Sequence, residues 1–247
     1  MDLSQRTPTV ECIDRVAPAV VVHTAAQTNV DLCEKDRELA RRVNVDGTAN
    51  VVEGCLRTGA KLIFVSTDYV FDGEKGNYKE TDQPNPIDFY GATKLEAERI
   101  VAKLPTRLIV RTSVLYGWHP SKLNFATWIM QGLSKYQSLR IVRDHINSPT
   151  FSDNLAMAIR AAIERKVTGV LHVAGSVRIS RFEFARKLAK KFNLAEALLV
   201  PVDMRDLGWV AKRPKDSSLD VGKAEKELGI ELFGVDRGLD EMLRSRP

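Results

Sequence analysis

The chain has 247 residues, enough for one large domain or two parts sharing a core, and its 44% hydrophobic and 28% charged residues are the balance of a soluble globular protein. No run approaches the roughly 18 apolar residues of a membrane span, and the opening Met1-Asp-Leu-Ser-Gln-Arg-Thr-Pro8 has no apolar signal-peptide core, so a cytoplasmic protein is expected. The formal charge is +5 and the pI about 9.1, but the basic residues are scattered without interleaved aromatics, which argues against nucleic acid as a partner and suits an anionic small molecule.

In chain order, Thr7 to Arg15 reads as a short helix, broken near its start by Pro8 and ended before Pro18. Ala19-Val-Val-Val-His23-Thr-Ala-Ala26 reads as a strand that ends in small residues, which allow a backbone to approach a ligand closely. His23 is read as a satisfied core histidine rather than a catalytic group. Asp31 to Arg57 is mostly helical: Leu39, Ala40, Val43, Ala49, Val52 and Leu56 fall near a 3.6-residue period, with Gly59 as the residue past its end. Asn44 inside it is either an ordinary polar helix residue or a ligand of backbone near a site. Cys12, Cys33 and Cys55 have neither metal-ligand nor redox-pair spacing and read as buried or incidental thiols in a reducing cytoplasm. No metal site is expected.

The stretch from residue 62 to 98 carries the chemistry. Leu62 to Val65 has the length of a buried strand, and it stops at Ser66-Thr67-Asp68, where hydroxyls and a carboxylate come together. In an open parallel sheet, ligands bind at the carboxyl ends of strands. After a loop holding Gly73, Gly76, Pro84 and Pro86, a helical pattern opens at Tyr90; Lys94 follows four residues later, on the same face one turn on. A free phenol has a pKa of about 10, too high to exchange protons readily near neutrality. A neighbouring ammonium is expected to lower it, so that Tyr90 can protonate a carbonyl oxygen while hydride reaches its carbon, with Thr67 hydrogen-bonding the same oxygen. A lone Tyr-x-x-x-Lys is commonplace on ordinary helices. The strand ending Ser66-Thr-Asp-Tyr-Val-Phe-Asp-Gly73 ahead of it gives this one its meaning.

Arg107 to Gly117 is a further strand ending in hydroxyls, and Asn124-Phe125 opens a helix to Leu133. Phe151 to Arg165 is an amphipathic helix with Asp153 near its positive end. Gly169 to Gly175 returns to the sheet, and Ser180 with Glu183 forms a capping box for a helix from Arg181 to Asn193. The groups Arg186-Lys187…Lys190-Lys191 and Lys212-Arg213…Lys215 are the densest basic ones, the first read as a solvated helix face. Lys223 to Leu228 is taken as the last helix, stopped by Gly229.

Ser66-Thr-Asp-Tyr-Val-Phe-Asp-Gly73 followed by Tyr90-Gly-x-Thr-Lys94 resembles the extended short-chain dehydrogenase/reductases, and more narrowly the dTDP-4-dehydrorhamnose reductase group, to which the regulatory beta subunit of methionine adenosyltransferase is related. The resemblance runs along essentially the whole chain. It implies Thr67, Tyr90 and Lys94 as the catalytic set and NADP or NAD as cofactor. Cofactor contacts would come from Asp2 and Leu3 at the adenine, from Ala25, Ala26, Gln27 and Thr28, and from Ser66, Tyr90 and Lys94. Substrate contacts would come from Thr67, Asp68, Tyr69, Val114, Asn124 and Arg213. Val114 stands where the family's Arg-Thr-Ser-Trp pattern has tryptophan, and His145 replaces glutamine in its Asp-Gln-x-Gly-x-Pro-Thr loop. Arg213 reaches either a substrate phosphate or a structural carboxylate.

The alternation of strands (19–24, 61–66, 107–112, 169–174) with helices predicts a doubly wound, Rossmann-like α/β fold with a parallel sheet. Residues 1–112 plus 150–175 would form a partial dinucleotide-binding domain, and 113–149 plus 176–247 an interleaved substrate lobe. The fold is expected to lack its first βαβ unit: the first glycine is Gly47, no Gly-x-Gly-x-x-Gly turn is present, and one sheet edge would be exposed. Weak cofactor binding by this chain follows. The expected function is NAD(P)H-dependent reduction of a nucleotide-linked 4-keto sugar, with the nucleotide sugar as partner, no membrane or nucleic acid, and a homodimer compatible with the resemblance. The alternative is a non-catalytic regulatory protein of the same fold, or a truncated inactive paralogue. The intact Thr67, Tyr90 and Lys94 favour the enzyme.

Overall fold

Runs of β-branched and aromatic residues bounded by polar turns favour strands. The computed structural model, which describes Met1 to Pro247, joins the four such runs in one parallel sheet. The first half of the chain contains α1 (Arg6–Val16), β1 (Val20–His23), α2 (Val30–Lys35), α3 (Arg37–Arg41), a π-helical turn (Arg42–Asp46), α4 (Gly47–Thr58), β2 (Lys61–Thr67) and α5 (Phe89–Val101). Then come β3 (Arg107–Thr112), β4 (Leu115–Tyr116), α6 (Phe125–Ser134), β5 (Leu139–Val142), β6 (Ile146–Asn147), β7 (Thr150–Phe151) and α7 (Ser152–Glu164). The chain closes with β8 (Gly169–His172), β9 (Ile179–Ser180), α8 (Arg181–Lys191), β10 (Leu199–Val202), α9 (Gly222–Leu228) and α10 (Val235–Arg244).

The sheet order is β1-β2-β3-β8, and every neighbouring pair is parallel. Successive side chains point to opposite faces, so the sheet has two cores. Leu62, Phe64 and Ile109 pack with Ile13 of α1, Val51, Val52 and Cys55 of α4, and Ala97 and Val101 of α5. Ile63, Leu108, Val110 and Leu171 pack on the other side with Leu155 and Ala158 of α7 and Ala224 and Leu228 of α9. Each fully buried large side chain contributes about 1.5–3 kcal/mol. Helices on both faces make the sheet doubly wound, as expected. β1 pairs only with β2, and Val22 on it is 42% exposed, so one edge is open.

A third core holds the lobe, where Tyr116, Ile129, Leu133, Phe184, Leu188, Leu239 and Met242 meet around the parallel pair β5–β10. No helix is long and apolar enough to cross a membrane.

Several details differ from the sequence reading. Pro8 does not break α1, because it lies in the first turn, whose N–H groups have no helical acceptor. The helix expected from Asp31 is interrupted at Asp36, whose side chain caps α3 by accepting from the Leu39 N–H. Lys223 to Leu228 is not the last helix: Val235, Leu239 and Met242 lie on one face of α10 and are buried in the lobe. α9 falls in the stretch 176–247 expected for the lobe, yet Ala224 and Leu228 sit in the core of the sheet. Ser180 caps α8 by accepting from the Glu183 N–H. The basic face of α8 is tied to α10 by Lys187–Asp236 and Lys191–Asp240 pairs.

Candidate active site

β2 ends in hydroxyls, and the chain turns at once into a 3-10 turn over Asp68–Val70, with the Thr67 hydroxyl accepting from the Tyr69 N–H at 3.2 Å. α5 comes down directly on this turn. A Cβ at Gly91 would lie 2.1 Å from the Tyr69 carbonyl oxygen, so only glycine after Tyr90 permits the approach. Asp88 caps the helix, accepting from the Gly91 N–H at 2.8 Å, and burial pushes its carboxyl up to about 6.

The result is one cavity of 580 Å³ whose wall includes Thr67, Tyr90 and Lys94. The three side chains singled out from spacing therefore share one space. Lys94 is 2% exposed, donates from Nζ to the Val65 carbonyl at 2.8 Å and lies 4.0 Å from the centre of the Phe64 ring. Burial lowers its pKa to about 7, opposed by the charge of Glu98. The Tyr90 phenol moves in the opposite direction from the one expected. Burial raises its pKa, and the nearby Thr67 hydroxyl only partly offsets this. The physical reason is that an interior Lys94 is no longer a full ammonium at neutrality, whereas the low-dielectric surroundings penalise a phenolate. Tyr90 thus keeps its proton near neutral pH, the form in which it can donate.

Asn44 lies in the π-helical turn, a feature frequent at functional sites. Its Oδ1 accepts from the Gln27 N–H at 2.7 Å, and its Nδ2 donates to the Gln27 carbonyl at 3.2 Å and to the Thr93 hydroxyl at 3.0 Å. It therefore ties the loop after β1 to α5, the second of its two readings. His23 is the core histidine expected: Nε2 is 3.0 Å from the Thr48 hydroxyl, and burial lowers its pKa to about 4.

Of the expected cofactor residues, Ala26, Thr28, Ser66, Tyr90 and Lys94 line the cavity. Gln27 is held beside it by Asn44, and Ala25 is exposed in the same loop. Asp2 and Leu3 are not part of the wall; Asp2 caps the Ser4 N–H at 3.0 Å and the Leu3 carbonyl accepts from Asn50 of α4 at 2.8 Å.

Of the expected substrate residues, Thr67, Asp68, Tyr69, Val114 and Asn124 line the same cavity, but two already have their polar atoms engaged. Asp68 is 2% exposed and accepts from the hydroxyls of Ser113 at 2.7 Å and Ser217 at 2.5 Å, which makes it an anchor between sheet and lobe. Asn124 caps α6 in a capping box and donates to the Gly117 carbonyl at 2.7 Å. Val114 has φ 41°, a left-handed conformation costly for a β-branched residue. Thr150 holds it there, donating from its N–H to the Val114 carbonyl at 3.1 Å and from its hydroxyl to the Ser113 carbonyl at 2.6 Å.

Arg213 pairs with Asp31 at 3.0 Å, the structural carboxylate of its two readings, while bordering a second cavity of 270 Å³. This space is also lined by Tyr69, Phe125, Trp128, Arg140, His145, Arg181 and Trp209, and shares Tyr69, Phe125 and Arg181 with the first. His145 is 1% exposed and neither ring nitrogen has a partner. Burial, with Arg181 and Arg213 nearby, holds its pKa well below the usual range, so it is neutral.

Arg181 was read only as the start of a helix. Its guanidinium lies 4.6 Å from the Phe125 ring centre, and its buried Nε has no partner. A cation in the first turn of a helix opposes the dipole, and that was the available signal. Glu98 and Arg111, a buried pair beneath Lys94, were also missed. No three His, Cys, Asp or Glu side chains gather as a metal site would require.

A doubly wound parallel sheet with a tyrosine and a lysine on one cavity wall at a strand tip defines the Rossmann-like short-chain dehydrogenase/reductase class. The family model that matches residues 1–246 is the RmlD substrate binding domain, and the chain belongs to this family. It is 32% identical over 252 residues to the dTDP-4-dehydrorhamnose reductase of Aggregatibacter actinomycetemcomitans, covering 97% of this chain and 85% of that protein. It is 34% identical over 224 residues to the methionine adenosyltransferase 2 subunit beta of Bos taurus, covering 86% of this chain and 66% of the relative. The crystal structure of dTDP-4-dehydrorhamnose reductase from Bacillus anthracis in complex with NADP superposes with a TM-score of 0.94 at 32% identity, covering 99% of this chain and 86% of that one.

Proposed function

We propose that the chain reduces the 4-keto group of a nucleotide-linked sugar, as the dTDP-4-dehydrorhamnose reductases it resembles do by name. The observation that carries this reading is the convergence of Thr67, Tyr90 and Lys94 on one cavity at the carboxyl end of β2. Small residues after β1 (Ala26, Thr28) together with Ser66 and Lys94 leave a wall that fits a nicotinamide nucleotide. When bound there, reduced NADP or NAD supplies the hydride. Tyr90 donates its phenolic proton to the carbonyl oxygen as the carbon is reduced, so a ketone becomes a secondary alcohol. The Thr67 hydroxyl donates a hydrogen bond to the same oxygen and orients it. Lys94 holds the cofactor's ribose and restrains the strand tip.

The second cavity suits the nucleoside diphosphate: Arg140 and Arg181 offer positive charge, and Trp128 and Trp209 offer flat faces. Substrate would then span both spaces across Tyr69 and Arg181. The test is dTDP-4-dehydrorhamnose incubated with 4-deuterated NADPH or NADH. Deuterium should appear at C4 of the sugar. Absence of label with both cofactors, from folded protein, would contradict the reading.

The second reading, a non-catalytic regulator, is supported by the 34% identity to the methionine adenosyltransferase subunit. It requires that a partner enzyme co-purify and that Tyr90→Phe leave the partner's response unchanged.

A further inference from the structure

Two residues of α5 grip two consecutive residues of β2. Lys94 donates to the Val65 carbonyl at 2.8 Å, and one turn later Glu98 accepts from the Ser66 hydroxyl at 2.5 Å. Ser66 immediately precedes Thr67, so this clasp fixes where the Thr67 hydroxyl stands relative to the Tyr90–Lys94 face. Glu98 is 5% exposed and is held from behind by Arg111 of β3, through Nε at 3.0 Å and Nη2 at 2.7 Å. Arg111 is itself 5% exposed, 3.4 Å from His172 Nε2 and 5.2 Å from the Phe71 ring centre. A buried ion pair of this kind contributes little net stability beyond what apolar side chains of the same size would supply. Its position under the strand tip suggests another use.

We propose that Glu98, held by Arg111, is a positioning residue of the reductase centre: one helical turn from Lys94, it locks Ser66, and with it Thr67, against α5, and it places a negative charge next to the lysine that lines the cavity. This rests on the proposed role of Thr67, Tyr90 and Lys94. Other groups near Lys94 do not supply that charge. Tyr90 on the same helix is a protonated phenol, and His23 on β1 is neutral near pH 7. Asp68 lies beyond Thr67, where burial favours its protonated form, and Cys33 of α2, on the Tyr90 side, has its thiol pushed up to about 11. Arg111 carries positive charge and sits behind Glu98. Glu98 is the group whose charge favours the ammonium.

The test reads Lys94 directly, by ¹³C-lysine NMR titration of the full chain, with the resonance assigned through Lys94→Arg. Lys94 should titrate at about 7 in the unsubstituted protein. In Glu98→Gln it should titrate lower by about one pH unit, a tenfold loss of proton affinity. Because Glu98→Gln strands the Arg111 charge, the double variant Glu98→Gln/Arg111→Gln is measured beside it and should show a downward displacement too. Lys94 titrating at the unsubstituted value in either folded variant overturns the proposal, because Glu98 would then exert no charge on the catalytic face. Loss of fold in both variants also overturns it, assigning the pair to stability alone. Neither readout depends on turnover, so failure of the reductase reading in the deuterium experiment is seen separately.

Discussion

The two cavities meet at Tyr69 and Arg181, yet their polar groups are treated oppositely. Around the β2 tip most buried polar atoms have a partner (Asp68 with Ser113 and Ser217, Ser66 with Glu98, Glu98 with Arg111, Asn44 with Gln27 and Thr93), the exceptions being Asp88 Oδ2 and the Tyr116 hydroxyl. Around the second cavity the buried groups are left open, with both nitrogens of His145 and Nε of Arg181 unpartnered. An unpartnered buried polar atom costs about 1–3 kcal/mol. In the proposed reading, the contrast separates a reaction centre whose polar groups are partnered within the chain from a recognition surface whose buried polar atoms are not.

The largest test of this contrast is at the prebuilt end. Arg111→Ala leaves Glu98 as a lone buried charge and should cost about 3–5 kcal/mol, read as a lower urea midpoint. Lys94 gives the next effect. Its pKa is depressed from 10.5 to about 7, so between those values the unfolded chain binds more protons than the folded one. This contribution to stability is therefore at its worst below about 7 and is relieved as pH rises toward 10.5. The unfolding free energy from urea titrations should rise across this window by on the order of a few kcal/mol, and Lys94→Met should flatten the rise. Gly91→Ala pushes a methyl into the Tyr69 carbonyl and should cost about 1–3 kcal/mol while lowering kcat, because α5 must draw back from the strand tip.

The smallest loss of stability lies at the open end. Arg181→Met removes a buried donor without a partner, so it should not destabilise the fold and should raise stability by up to about 1–3 kcal/mol. It should nevertheless raise KM for the dTDP-sugar about tenfold or more, the value of a charge-assisted hydrogen bond. A large stability loss with unchanged KM would erase the distinction between the two cavities.

The same contrast explains what was legible in the sequence. The four sheet strands are local apolar runs, and Thr67, Tyr90 and Lys94 belong to one strand–loop–helix unit, so their spacing together with the family resemblance pointed to them. The direction of the Tyr90 shift was not legible, because it depends on burial assembled from separate elements. Glu98 and Arg111 are 13 residues apart on different elements, and nothing local marks them as a pair. His145 and Arg181 join Tyr69 only through the lobe's packing. α10 is readable from Val235, Leu239 and Met242 at helical spacing, but Gly229 stands where a C-terminal stop is expected and masks the helix beyond it.

The central claim is that the Tyr90 phenol is the proton donor at a reductase centre. The most direct measurement is single-turnover oxidation of NADPH by dTDP-4-dehydrorhamnose in the unsubstituted chain and in Tyr90→Phe, which keeps the ring and removes only the hydroxyl. The rate should fall by about 10²–10⁴-fold with melting temperature little changed. An undiminished rate in folded Tyr90→Phe would contradict the account.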